Sequence, residues 1–188
     1  MKKVLIAYAV EQEFTPITLK GCKVEYVKTG IGKAKAAMNL TAAICNNRPD
    51  IVINKGTAGT LTHAVGNIFV CRRFIDRDFQ AVQLPGIDFE LNFREELDAD
   101  GLTRSWLSSN GLTGTCNTGD SFVTEAELIE GDVVDMEAFA LAIVCKKFNL
   151  PFIAVKYVTD IIGQNSVKHW EDKLTDARGG LAQWFLDK

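Results

Sequence analysis

An α/β fold, one sheet covered by helices, is the architecture this 188-residue sequence predicts. Three observations point to it. Several apolar runs have strand length and little polar alternation, as in strands covered on both faces. Segments with apolar residues at helical spacing fall between those runs. Acids and small residues collect where the runs end. Alternation of this kind over a chain of this length also predicts a single domain, residues 1–188, long enough to bury a substantial core. No repeat, linker or low-complexity segment breaks the pattern.

Val4 to Ala9 is the first apolar run, and Val24 to Val27 is a shorter one with β-branched residues; both predict strands. In TGIGKAKAAMNLTAAICNN, glycines lead into Ala36, Leu40, Ala43 and Ile44 at helical spacing, which predicts a helix over Lys33 to Asn46. PDIVINKG follows as a buried strand ending in a loop, TAGT. Asn67 to Phe74 predicts a strand continuing towards Asp78. Between Gln80 and Gly111 the pattern weakens: LPGIDFELNF reads as irregular or edge structure, and Leu102 to Ser108 as a short helix. Val133 to Met136 is a short strand. Glu137 to Phe148 is a helix whose Ala138, Leu141, Ala142 and Cys145 share one face, with Lys146 and Lys147 at its exposed end. PFIAVKYVTD is a strongly β-branched strand. Val167 to Leu186 is an amphipathic closing helix anchored by Trp170, Leu174, Leu181 and Trp184.

Composition narrows the function. A net charge of −3 with scattered basic residues argues against a nucleic-acid partner, which calls for a concentrated basic face. Five cysteines form no CxxC pair, no metal-ligand spacing with histidine and no even disulfide set, so a reducing cytoplasm is the expected setting. The start, MKKVLIAYAVEQEF, meets Glu11 and Glu13 too early for a signal peptide and reads as a first strand. No run approaches the roughly 18 apolar residues of a membrane span. Neither a metal nor a cofactor is expected.

Ligand sites in open α/β sheets form beyond the carboxyl ends of strands, and four such ends carry unusual residues. The first strand runs into Glu13. PDIVINKG runs into Gly56-Thr57-Ala58-Gly59, small residues that let a ligand approach the backbone. Val133 to Met136 delivers Glu137, and the β-branched strand delivers Asp160. Each acid alone has an ordinary explanation: Glu137 as a partner of the helix dipole, Asp160 as a cap or turn residue, Glu13 as a surface acid. Their joint placement is what marks a site. Other motifs fail: GIGK lacks both P-loop and GxGxxG spacing, His63 and His169 sit in no ligand motif, and no GxSxG supports a nucleophilic serine.

TGIGKAKAA, PDIVINKGTAGTL, VGNIFV, TGDSFV, VVDMEAFALAIVCKKFNLPF and VKYVTD, in this order, resemble the nucleoside phosphorylase and nucleosidase superfamily, and most of all its 5′-methylthioadenosine/S-adenosylhomocysteine nucleosidases. The resemblance covers most of the chain and thins between Gln80 and Gly111. It implies a three-layer α/β/α fold with a twisted mixed sheet, and hydrolysis of an adenine N-glycosidic bond with water as co-substrate. It also implies a homodimer. By the same resemblance, Glu13 activates the attacking water, Glu137 holds the ribose hydroxyls with Met136 against the sugar, and Asp160 protonates purine N7. Phe122 and Val123 match the segment that stacks on the base, and Gly59 lies beside the ribose.

The chemistry calls for these residue types. Breaking an N-glycosidic bond develops oxocarbenium character on the sugar, which a carboxylate and ribose contacts stabilise, much as for O-glycosides. Adenine leaves poorly as an anion, so Asp160 must bring a proton while Glu13 acts as base. Glu137, at a strand-to-helix corner, is expected to be kept ionised by the helix dipole, and Asp135 to serve the corner itself. Two rivals remain at this level: a phosphorylase using phosphate, and a non-catalytic nucleoside-binding or storage protein on the same fold. Phosphorylases carry an arginine where this chain has Asn54, and a glycine-arginine loop where it has AVEQEF. Lys55 stands where the nucleosidases carry a small residue, leaving an anion site open, and the chain is short at Phe79 to Leu84, where the family lines the 5′-tail pocket.

Overall fold

The structure, a computed structural model, describes residues 1–98, 101, 104, 111–124, 129–164 and 166–186. Strands β1 (Lys2–Tyr8), β2 (Cys22–Lys28), β3 (Ile51–Thr60), β4 (Ile68–Asp76), β5 (Glu90–Asn92), β6 (Leu112–Thr118), β7 (Val133–Asp135) and β8 (Phe152–Ile161) form one mixed sheet. The helices are α1 (Lys33–Asn46), α2 (Arg77–Val82), α3 (Arg94–Asp98), α4 (Ala138–Lys147) and α5 (Ser166–Leu186). A single 3-10 turn, Glu11–Glu13, follows β1.

Strand order is β2-β1-β3-β7-β6-β4-β5, with β8 pairing both β3 and β4. The pairs β1–β2, β1–β3, β3–β8, β4–β6 and β6–β7 are parallel, whereas β3–β7, β4–β8 and β4–β5 are antiparallel. Following these pairs, β3, β7, β6, β4 and β8 close into a ring. Closure depends on the length of β3, whose first half pairs β1 along the edge where its far end meets β7, Gly59 opposite Val134. The register of β3 against β8 shifts between Ala58 and Gly59, where Thr159 is an extra, bulged residue on β8. The expected loop TAGT is therefore the last part of a strand, held by pairing on both sides.

The other expected elements follow their sequence signals with small changes at the ends, except that β4 stops at Asp76 and a helix, α2, takes up the stretch expected to run on as strand towards Asp78. Helix α3 was not anticipated either. LPGIDFELNF contributes the edge strand β5. The short helix expected over Leu102 to Ser108 falls, apart from Arg104, outside the described residues. Strand β6 carried no signal because LTGTCNT is small and polar; its place between β4 and β7 makes it a strand. Helices α1 and α4 pack on each other, while α5 lies over β8, β3 and the 3-10 turn. Phe74, Phe93 and Phe152 meet at centroid separations of 4.9 to 6.0 Å in the core, and each fully buried side chain of this size contributes about 1.5–3 kcal/mol. Among the described residues no helix is long and apolar enough to cross a membrane.

Candidate active site

The ends of four strands, β1, β3, β7 and β8, and the loop at Ser121 to Val123 converge on a cavity of about 300 Å³. Glu13, Gly59, Phe122, Val123, Met136, Glu137 and Asp160, the residues singled out from the sequence, all line it.

Glu13 ends the 3-10 turn and is buried. Its Oε1 accepts from the Thr57 N–H at 2.9 Å and the Thr57 hydroxyl at 2.7 Å, and its Oε2 from the N–H groups of Ala9 and Val10 at 3.2 and 3.4 Å. The short turn directs the side chain back over the end of β1, so four donors from two strand ends orient one carboxylate. The indole N–H of Trp170, on α5, donates to the Thr57 hydroxyl at 2.9 Å and extends this chain of bonds.

At the β7–α4 corner the two acids have different partners. Asp135 accepts from the Thr118 hydroxyl at 2.6 Å and the Ala138 N–H at 2.9 Å, and forms an ion pair with Lys156 at 2.7 Å. Burial alone would raise the Asp135 carboxyl; the Lys156 ammonium and these donors hold it below the usual carboxylate range. Asp135 thus serves the corner, as expected. Glu137 accepts only the Gly32 N–H, at 3.0 Å on Oε1, among the described residues. Burial, then the charge of Asp135, pushes its carboxyl up to about 8. The expectation that the helix dipole keeps Glu137 ionised is corrected: desolvation and a like charge outweigh a dipole worth about 0.3–2 kcal/mol.

Asp160 lies near the end of β8, buried, and accepts the Thr159 hydroxyl at 2.8 Å. Gly59 is opposite it in the sheet, and a Cβ there would sit 2.9 Å from Asp160 Oδ2, so the lack of a side chain at Gly59 is what lets this carboxyl occupy the cavity floor. Gly56 has a similar role, since its Cβ would lie 3.3 Å from Glu13 Oε1 and 3.4 Å from the Lys156 ammonium.

The wall at Phe122 and Val123 is held by polar ties. Asp120 Oδ1 accepts the Lys33 N–H at 2.7 Å, the Asp120 N–H donates to Asp78, and the Arg77 guanidinium donates to the Ser121 carbonyl at 3.0 Å. Phe122 meets Trp170 edge to face at 6.3 Å. Gly32, at φ +93, gives the tight entry to α1 that brings both N–H contacts to the cavity edge.

Trp170, the Thr57 hydroxyl and Lys156 went unassigned to the site from the sequence. Trp170 was legible only as an apolar anchor, Thr57 only as a small residue, and Lys156 only as a polar break in a β-branched run. Lys55 does not line the cavity; its ammonium donates to main-chain carbonyls, which argues against the anion site its identity left open. Among the described residues no three His, Cys, Asp or Glu side chains are grouped to hold a metal ion.

A ring-closed mixed sheet with buried acids at the ends of parallel strands defines a class, and family comparison agrees: the chain belongs to the phosphorylase superfamily, whose model matches residues 7–183. Within that class it is similar to named nucleosidases. It is 32% identical over 194 residues to the 5′-methylthioadenosine/S-adenosylhomocysteine nucleosidase of Geobacillus kaustophilus, covering 93% of this chain and 82% of the relative. It is 35% identical over 187 residues to the nucleosidase of the same name from Bacillus velezensis, covering 88% and 78%. The solved structure of a 5′-methylthioadenosine/S-adenosylhomocysteine nucleosidase from Colwellia psychrerythraea in complex with adenine matches with a TM-score of 0.82 at 27% identity, covering 99% of this chain and 93% of that one.

Proposed function

We propose that the chain is a purine nucleosidase that hydrolyses the N-glycosidic bond of an adenine nucleoside, methylthioadenosine, S-adenosylhomocysteine or a close relative, and releases adenine. One observation carries the reading: Glu13, Glu137 and Asp160, remote in sequence, share one cavity of about 300 Å³. Its named relatives act on this substrate class.

In this reading Phe122 and Val123 flank the base, and Met136 and Glu137 meet the ribose. Glu137 near neutrality retains much of its proton, so it can donate to one ribose hydroxyl while accepting from another. As the C–N bond lengthens, Asp160 delivers a proton to N7 and adenine leaves neutral; water loses its proton to Glu13 and adds to the sugar carbon. Four donors around Glu13 set its direction before substrate arrives, which lowers the reorganisation needed at the reacting step.

Water is favoured over phosphate because, among the described residues, no lysine or arginine lines the cavity. Asn54, where phosphorylases carry arginine, is buried and donates to the Ala7 carbonyl at 3.1 Å. A base and an acid together exceed what a binding or storage protein requires. We also assign a single domain from the length and patterning of the chain, the cytoplasm from its cysteine usage, and a homodimer by resemblance. The exposed Phe79, Val82, Leu84 and Ile87 support a subunit contact there, with Phe79 lying 5.7 Å from the Lys33 ammonium.

Incubation with methylthioadenosine, with and without phosphate, tests the proposal. Adenine release independent of phosphate is expected. A phosphorylated sugar would identify a phosphorylase, and binding without release a storage protein.

A further inference from the structure

Lys55 is fully buried on β3 and takes no part in the reaction described above. Its ammonium donates to the Glu13 carbonyl at 2.9 Å and the Thr15 carbonyl at 3.4 Å, and among the described residues it forms no ion pair with a carboxylate. Residues two apart on a strand share a face, so Lys55 and Thr57 both reach the 3-10 turn. Thr57 takes the carboxylate of Glu13; Lys55 takes its main chain. Among the described residues, the main chain of the turn has two internal bonds, Glu13 N–H to Val10 and Phe14 N–H to Glu11, both 3.0 Å. Two main-chain bonds are few for holding a catalytic group in one place, because a turn of this length frays easily.

We propose that Lys55 is a positioning residue that fixes the turn bearing Glu13 through the carbonyls of Glu13 and Thr15, without touching substrate. The proposal rests on the reading of Glu13 as the base. A charge-assisted bond to a carbonyl is shorter and stronger than a neutral one, which suits a clamp on a short turn. The ammonium is held at a cost: burial lowers it to about 8, opposed by the charge of Glu13 on the turn and reinforced by Arg178 on α5. On the β8 edge its neighbour is the uncharged Val155. Loss of the proton weakens both bonds, so the clamp loosens as pH rises through that value.

The test uses the full chain as wild type, Lys55→Met and Lys55→Thr, with methylthioadenosine as substrate and amide hydrogen exchange at Glu13 and Phe14 as an independent readout. If Lys55 holds the turn, kcat falls at least about tenfold, since displacements near 1 Å can cost a hundredfold. KM stays within about twofold, because no substrate contact is lost. The fall of wild-type kcat above about pH 8 flattens in both variants, and exchange at the two amides speeds up. Folded variants with unchanged kcat and unchanged exchange overturn the proposal. Should wild type release no adenine, the nucleosidase reading fails, and the exchange data alone decide the role of Lys55. Should neither variant fold, wild type decides: protection of the two amides drops across about pH 8 if the clamp is real, and stays constant if it is not.

Discussion

Replacing Asp135 by asparagine removes one charge of a buried pair while keeping its shape. Asp135 and Lys156 meet at 2.7 Å with both side chains 1% exposed. Asparagine has one oxygen: placed at the Oδ2 position it still accepts the Ala138 N–H, while its amide NH2 at the Oδ1 position donates to the Thr118 hydroxyl, so the loss is not one of capping. What remains is an ammonium in the core with its counter-ion gone, and removing one partner of such a pair costs about 3–5 kcal/mol. Two responses limit the damage. Releasing the Lys156 proton at neutral pH, from an ordinary lysine value of 10.5, costs about 5 kcal/mol and sets a ceiling. Ionising Glu137, whose carboxyl stands at about 8, costs only about 1.4 kcal/mol at neutral pH and supplies a new negative charge. The expected loss is therefore near the lower end, about 3 kcal/mol, which for a chain of this size lowers Tm by about 6–12 °C. Asp135 lies below its unfolded value of 3.8 in the fold, so its contribution is present above that pH and is lost as pH falls through the folded value. The deficit of the variant must shrink in acid. Urea unfolding at neutral pH and again in acid measures both effects. A loss under about 1 kcal/mol at neutral pH would refute the claim that this pair stands uncompensated without Asp135. Adding Lys156→Met should return most of the stability.

Three further outcomes are expected. Glu13→Gln and Asp160→Asn should each lower turnover of methylthioadenosine by about 10²–10⁴-fold with the fold retained, Glu13→Gln with a lower Tm because its NH2 faces N–H groups that the carboxylate accepted; near-normal rates in either would remove that residue from the mechanism. Trp170→Phe keeps a ring against Phe122 but loses the N–H bonded to Thr57, a bond worth about 1 kcal/mol, so kcat should drop roughly fivefold. Glu137 binds its proton more tightly in the fold, with its carboxyl raised from 4.5 to about 8. The folded state therefore holds more protons than the unfolded chain across that window, and stability declines as pH rises through it. Glu137→Gln should flatten that decline in denaturant titrations, and an unchanged slope would count against the assignment.

Local patterning carried most of the fold. The runs at Val4–Ala9 and PFIAVKYVTD are apolar enough to read as buried strands without any neighbour. Helix α1 shows its face in Ala36, Leu40 and Ile44, all buried. Strand β6 was not legible because small polar residues take their conformation from the strands on either side. TAGT was misread for a related reason: glycine and threonine signal a turn locally, and only pairing with β8 and β7 extends them.

For the site, the sequence by itself determined which acids stand at strand ends and that DMEAFA and VTD belong to a nucleoside-cleaving family. Tertiary structure decided their electrostatic states. Asp135 and Glu137 are two residues apart on one corner, yet Lys156 from β8 holds one below the carboxylate range, while burial beside that charge raises the other to about 8. Tertiary structure also turned Lys55 inward to main-chain carbonyls and brought Trp170 onto Thr57. The reason is physical: patterning reports which residues seek burial, but a charge in the interior responds to partners a few ångströms away, and those arrive from distant parts of the chain.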